Sequence, residues 1–381
     1  MVGDDEFGDE VIPQREPVVE LGDATREGAL ESQGDHAVGV IDPAGADLLG
    51  RVLELGPGVP EERVDLPDSI VISEEGPREG FQIEPGPIAT ADKIALIDAL
   101  SACGLRRIQV GSFVNPKHVP GWADAEAVIE GFTAREGVEY SALWFNESGL
   151  QRALAFRGKL TLAGFISLSA SEPFAIRNLN RDRAGQIEAM RKNLRAHREA
   201  GVPISKIIVM AAFGCNFAGD IAPAQVVETV ADALAIAREA GVKVQDVALA
   251  DSMGWATPVR VAAAVGAVRD RFDDLRIALH LHDTRGQGIA CAYEGLRLGV
   301  TAFDAAVAGL GGCPFAGQPG APGNIATEEL ALLCEEMGIA TGLNIEALIE
   351  AGRLAERIVG HRLPSAALRS GTLAAFRRRA A

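Results

Sequence analysis

The sequence predicts a (β/α)8 barrel, the TIM-barrel architecture, preceded by an acidic N-terminal extension. Three observations lead there. From Ser69 onward, short strand-like runs alternate eight times with helical patterns across short connections. The polar residues best suited to chemistry gather at the C-terminal ends of those runs, where a parallel barrel builds its site. No GxGxxG follows the first strand, which argues against a doubly wound open sheet.

The elements follow in order. Strands are expected at Ser69–Ser73, Arg107–Phe113, Glu139–Phe145, Leu160–Ser169, Lys206–Phe213, Asp246–Asp251, Arg276–His282 and Ala302–Ala308. Each is rich in apolar residues, as strands covered on both faces require. Amphipathic helices are expected between them, including Ala91–Cys103, Ala184–Ala200, Pro223–Ala240 and Pro258–Phe272. The last two open on proline, which suits a first helical turn. Thr327–Met337 and Ile345–Val359 continue the pattern after the eighth strand.

Composition limits the function classes. The chain has 381 residues, 48% of them hydrophobic, and 43 glycines. Of its net charge of −17, the first 68 residues carry 18 acids against 4 bases, and the rest carries 35 against 32. Residues 1–68 are therefore expected to form an acidic extension, disordered or loosely docked. Residues 69–360 form the barrel, and 361–381 a C-terminal tail. A nearly neutral body disfavours nucleic acid, and the Arg377-Arg378-Arg379 run reads as a solvated terminus. No apolar run is long enough to span a bilayer, and acids rather than a basic segment follow Met1, so neither a membrane span nor a secretory signal is expected. Five cysteines without a CxxC pair fit reduced thiols in the cytoplasm.

The most informative stretch is Ile277-Ala-Leu-His280-Leu-His282-Asp283-Thr284. On a strand, residues two apart share a side, so His280 and His282 project together and can grip one divalent ion. The competing reading is two satisfied core histidines. At the end of the first strand, Glu79 would complete a set of one carboxylate and two imidazoles. An ion pair or a turn role is its alternative. That set suits Mg²⁺, Mn²⁺, Zn²⁺ or Fe²⁺, and an oxygen from Asn324 tilts it toward Mg²⁺ or Mn²⁺. Arg78 can face a developing oxyanion, or pair with Glu74, Glu75 or Asp251. The second strand delivers Gln109 and Ser112, and the sixth Asp251. After the eighth, Cys313 sits in a Gly/Pro-rich loop where a thiol can exchange a proton with a carbon centre.

Glu75-Gly-Pro-Arg-Glu-Gly-Phe-Gln82, Ser112-Phe-Val-Asn-Pro-Lys117, Ala211-Ala-Phe-Gly-Cys215, His280-Leu-His-Asp283 and Val307-Ala-Gly-Leu-Gly-Gly-Cys-Pro-Phe-Ala316, with Gly323-Asn324 beyond, resemble 3-hydroxy-3-methylglutaryl-CoA lyase, a DRE-TIM metallolyase. The similarity runs from about Ser69 to Val359. It implies metal-dependent retro-Claisen cleavage of a 3-hydroxyacyl-CoA to acetyl-CoA and a keto acid, in a homodimer. Glu79, His280, His282 and Asn324 then match metal ligands, and Arg78 the arginine that stabilises the enolate. Cys313 matches the loop thiol that helps protonate it. Asp251 and Glu328 match further catalytic positions, with His280 or Asp251 taking the hydroxyl proton. Gln82, Gln109 and Ser112 fall in the substrate pocket.

The chain also departs from the pattern. Glu79 stands where the family has Asp, Gln109 where it has a carboxylate, and Pro85 where it has lysine. The Cys313 loop is about two residues longer than in the common form. These changes point to a distinct branch with a different acyl substrate, citramalyl-CoA among the alternatives. A condensing acyltransferase running the reverse direction is the second class. A metal-dependent amidohydrolase is disfavoured because its histidine pair belongs on the first strand. The non-enzyme alternative is a barrel that has lost turnover.

Overall fold

A computed structural model describes residues 65–312 and 322–380. The extension before residue 65 and Cys313 therefore lie outside the described residues. Eight parallel strands follow one another: β1 (Val71–Glu74), β2 (Arg107–Ser112), β3 (Glu139–Leu143), β4 (Gly164–Ser169), β5 (Ile204–Met210), β6 (Asp246–Ala250), β7 (Arg276–His280) and β8 (Ala302–Ala305). They form one curled sheet in the order β3-β2-β1-β8-β7-β6-β5-β4, in which β8 returns to pair with β1. That is the expected (β/α)8 barrel. Between β3 and β4 no ladder is formed among the described residues. Thr161 N donates to Tyr140 O at 2.7 Å there, and the Phe145 and Phe165 rings meet edge to face at 5.9 Å.

Helices form where sequence supplies both an apolar stripe and a cap. Pro223–Glu239 and Pro258–Arg271 open on proline, and Thr257 Oγ1 accepts from Arg260 N. In Ile345–Val359 the Asn344 side chain caps the first turn, and Gly360 ends the last at φ 75°. Their inward residues, such as Val226, Val230, Val261 and Val265, are buried against the sheet. The strands end earlier than their apolar runs suggest. β8 stops at Ala305, because Val307–Gly309 turns sharply with Ala308 at φ 60°.

The expected C-terminal tail packs back on the barrel. Leu363, Ala367 and Leu368 are buried, and Arg353 donates to Leu368 O. Arg377 and Arg378 are exposed, yet each pairs with a surface carboxylate, Glu336 at 2.8 Å and Glu346 at 2.6 Å.

Candidate active site

The loop after β1 is a widened turn over Gly76–Gly80, started by Pro77. Its geometry is fixed from below. Glu74, fully buried, accepts from Gly76 N at 2.8 Å, Val307 N at 2.9 Å and Thr327 Oγ1 at 2.6 Å. A side chain at Gly76 would lie 2.5 Å from Glu74 Oε1, so only glycine lets that carboxylate reach the turn. The turn aims Arg78 and Glu79 into the barrel mouth.

Glu79 meets both histidines there. Its Oε1 is 3.4 Å from His282 Nε2 and its Oε2 is 3.9 Å from His280 Nε2. One ligand atom from each of the three residues lies within 4.8 Å of the others. Although β7 ends at His280, His282 still faces the same side. It forms a bridge with Asn324, held by Asp283 N to Gly323 O at 2.7 Å and Ile325 N to Leu281 O at 3.1 Å. Asn324 Nδ2 donates to Glu79 Oε1 and to Leu310 O, both at 3.0 Å. Gly311, at φ +91°, passes so close that a Cβ would sit 2.7 Å from Asn324 Nδ2 and 3.1 Å from Glu79 Cγ.

Charge is concentrated and nearly balanced. Burial pushes the Glu79 carboxyl up, but the Arg78 guanidinium and the two imidazoles outweigh it and hold the group well below the usual carboxylate range. Burial opposes a charge on His280, yet its hydrogen bond to Asp304 and the charge of Glu79 raise it to about 9. Asp304 Oδ2 is 3.4 Å from His280 Nδ1 and 4.0 Å from Lys206 Nζ. Burial opposes its charge too, but Lys206 and His280 lower it to about 2. Arg78 is clamped by Glu75 at 2.8 Å, by Glu79 at 3.1 Å and by Gln109. The β2–β3 register shifts between Gln109 and Gly111, and such a bulge re-aims a side chain at a strand end.

Arg78, Glu79, Gln82, Gln109, His280 and His282 all line one cavity of about 190 Å³. Other expected residues lie beside it rather than on it. Asp251 is buried, its Oδ1 accepting from Trp255 N and Ala256 N while Oδ2 has no partner. Burial raises its carboxyl. Ser112 is buried with an unpartnered hydroxyl. Glu328 lies under the β8 turn, both oxygens on Ala308 N at 3.1 and 3.0 Å, where it holds that residue's left-handed backbone. The Arg78–Glu75 pair was among the alternatives the sequence offered, but sequence reasoning missed Lys206 and Asp304. The available signal was a lone charge inside an apolar strand, Lys206 on β5 and Asp304 on β8.

The donors present fit a divalent ion: one anionic carboxylate, two imidazoles and an amide. Asn324 Oδ1 is buried without a partner, as an amide oxygen reserved for a ligand would be.

A parallel barrel whose mouth gathers such a triad beside a clamped guanidinium has the layout of a metal-dependent carbon–carbon lyase. A family model described as HMGL-like matches residues 69–355, and the chain belongs to that family, within the DRE-TIM superfamily. Its relatives are lyases. The chain is 37% identical over 299 residues to a hydroxymethylglutaryl-CoA lyase of Bacillus subtilis, covering 78% of this chain and 96% of that one. It is 39% identical over 298 residues to the 3-hydroxy-3-isohexenylglutaryl-CoA/hydroxy-methylglutaryl-CoA lyase of Pseudomonas aeruginosa, covering 78% and 95%. Among solved structures, an HMG-CoA lyase from Acinetobacter baumannii in complex with coenzyme A and 3-methylmalate superposes with a TM-score of 0.71 at 35% identity, covering 80% of this chain and 96% of that one.

Proposed function

We propose that the protein cleaves a 3-hydroxy-3-methylglutaryl-CoA-like thioester to acetyl-CoA and a keto acid. The observation that carries the reading is the convergence of Glu79, His280 and His282 beside Arg78 at the cavity edge, with the Asn324 amide bonded to Glu79. A bound Mg²⁺ or Mn²⁺, with Zn²⁺ as a third option, would polarise the substrate hydroxyl and lower its pKa.

The chain's own groups supply the rest. Two are equipped to accept the hydroxyl proton. Asp251 has a free oxygen and a carboxyl whose proton affinity burial has raised. His280, oriented by Asp304 through Nδ1, has Nε2 left to offer either to the ion or to that proton, not to both. As that proton leaves, the C2–C3 bond breaks, C3 becomes the keto carbon, and the electron pair passes to the thioester as an enolate. Arg78, held still by Glu75 and Gln109, neutralises the enolate oxygen. A proton returned to C2, a role the family resemblance gives to Cys313, completes acetyl-CoA.

Cys103, Cys215, Cys291 and Cys334 are buried and free, which supports a reducing compartment such as the cytoplasm. Among the described residues no helix is long and apolar enough to cross a membrane. A homodimer rests on the family resemblance and is read by sedimentation. The deciding assay measures acetyl-CoA release from 3-hydroxy-3-methylglutaryl-CoA and from both citramalyl-CoA enantiomers, with Mg²⁺ or Mn²⁺. Release should vanish with chelator and in His282→Ala. Release that survives either change refutes the metal-centred reading.

A further inference from the structure

The cavity has two unlike halves. On the side of β1, β7 and β8 it is charged, with Glu75, Glu79, His280, His282 and Asp304. On the side of β3 to β6 most of the wall is apolar, made by Leu143, Phe145, Phe165, Phe174, Ile208 and Met210. Ser167, Asn178 and Ser252 are its uncharged polar members, and Lys206, in register with Phe165, is its cation. The apolar half reaches deep. Phe165 precedes the end of β4 by four residues, about 13 Å at a strand's rise. Space is left there by one register row, in which Ser167 pairs with Ile208 and Ile208 with Ala248. Parallel partners point the same way, so two short side chains flank one long one where barrels usually pack bulky residues. Phe145, Phe165, Ile208 and Met210 are only half-buried, although they line an interior cavity.

The cations that line the cavity are both engaged. Arg78 is clamped by Glu75 and Glu79, and Lys206 sits 4.0 Å from Asp304. Three carboxylates thus face two non-histidine cations, and the one cation on the apolar side, Lys206, already stands opposite Asp304. A charged group pressed against Phe145, Ile208 and Met210 would lose its hydration without compensation.

Resting on the lyase reading above, we infer that the substrate carries, at its hydroxyl-bearing carbon, an aliphatic group larger than methyl, seated against Phe165, Ile208 and Met210. The charged half then takes the hydroxy-acid portion and the apolar half the side chain, so the two halves sort one branched substrate.

The test is a series of 3-hydroxy-3-alkylglutaryl-CoA thioesters with methyl, propyl and pentyl groups, assayed for acetyl-CoA release with Mn²⁺. Each buried methylene should raise kcat/KM about fourfold. In Ala248→Val, which fills the space, the pentyl-to-methyl ratio should fall at least tenfold. Met210→Thr, which leaves that space open but makes the wall polar, should lower the same ratio. Tm values read in parallel establish that both variants fold. A series that is flat or falls with length overturns the inference while the methyl compound's cleavage upholds the lyase reading. A rise that both variants leave intact places the alkyl group elsewhere and also overturns it. No release from any member refutes the lyase reading, and the inference with it.

Discussion

Glu74→Gln is expected to stabilise the protein at pH 8 and to destabilise it slightly near pH 5. Burial raises the Glu74 carboxyl from its ordinary 4.5 to about 7, even though Thr327 Oγ1, Val307 N and Gly76 N all donate to it. Below pH 4.5 both folded and unfolded chains hold the proton, and nothing is lost. Between 4.5 and 7 the folded state keeps a proton that the unfolded state has released, so stability falls as pH rises. The full loss above pH 7 is roughly 3 kcal/mol for this one group. Glutamine carries no charge to desolvate. Its Oε1 can keep both backbone donors, while its Nε2 forces the Thr327 hydroxyl to turn and accept, which costs about 1 kcal/mol. The net is a gain of about 2 kcal/mol at pH 8, a Tm rise of about 4 °C, and a loss of only about 0.2 kcal/mol at pH 5, where wild type has already given up about 0.8 kcal/mol. Thermal unfolding of both proteins across pH 5 to 8 reads this directly. A variant less stable at every pH, by a constant amount, would show that Glu74 is ionised and well solvated by its donors, and the reasoning would fail.

Three further outcomes are expected. Because metal-free His280 is raised to about 9 by Asp304 and Glu79 against the effect of burial, an ion binding at its ring must displace a proton at pH 7.5. Calorimetry in two buffers of different ionisation enthalpy should show close to one proton released, and Mn²⁺ affinity should rise from pH 6.5 to 9; zero protons would mean that His280 is not a ligand. Gly311→Ala should cost about 100-fold in kcat/KM, since both its left-handed backbone and its contact with Asn324 and Glu79 forbid a side chain without moving the triad; a variant with unchanged kinetics would show that the triad tolerates displacement. Gly164→Ala, whose new methyl would meet the buried His197 ring at 2.4 Å, should lower stability by about 2 kcal/mol, with the loss visible as a lower denaturant midpoint at unchanged m.

The order of the barrel was readable because apolar runs of strand length alternate with capped helical stretches, and that alternation survives without tertiary information. Strand ends were less readable. Val307 and Ala308 look like a continuation of β8, but a carboxylate twenty residues further on, Glu328, turns the chain by taking the Ala308 amide. The histidine pair and Glu79 were visible because few residue types combine in that way at strand ends. Lys206 and Asp304 were not, since each looks like an isolated charge until the curled sheet brings β5 and β8 across from one another. The same closure sets Ser167 and Ala248 beside Ile208, a spacing that exists only between strands.

The unladdered seam between β3 and β4 has a mechanical meaning. Every other junction of the sheet would have to break a row of peptide hydrogen bonds in order to widen. Here, among the described residues, one backbone bond and the Phe145–Phe165 contact join the two edges. Those two rings also belong to the greasy side of the chamber. The barrel is therefore most compliant where a guest of variable bulk would press on it, and stiff where charges must keep their spacing.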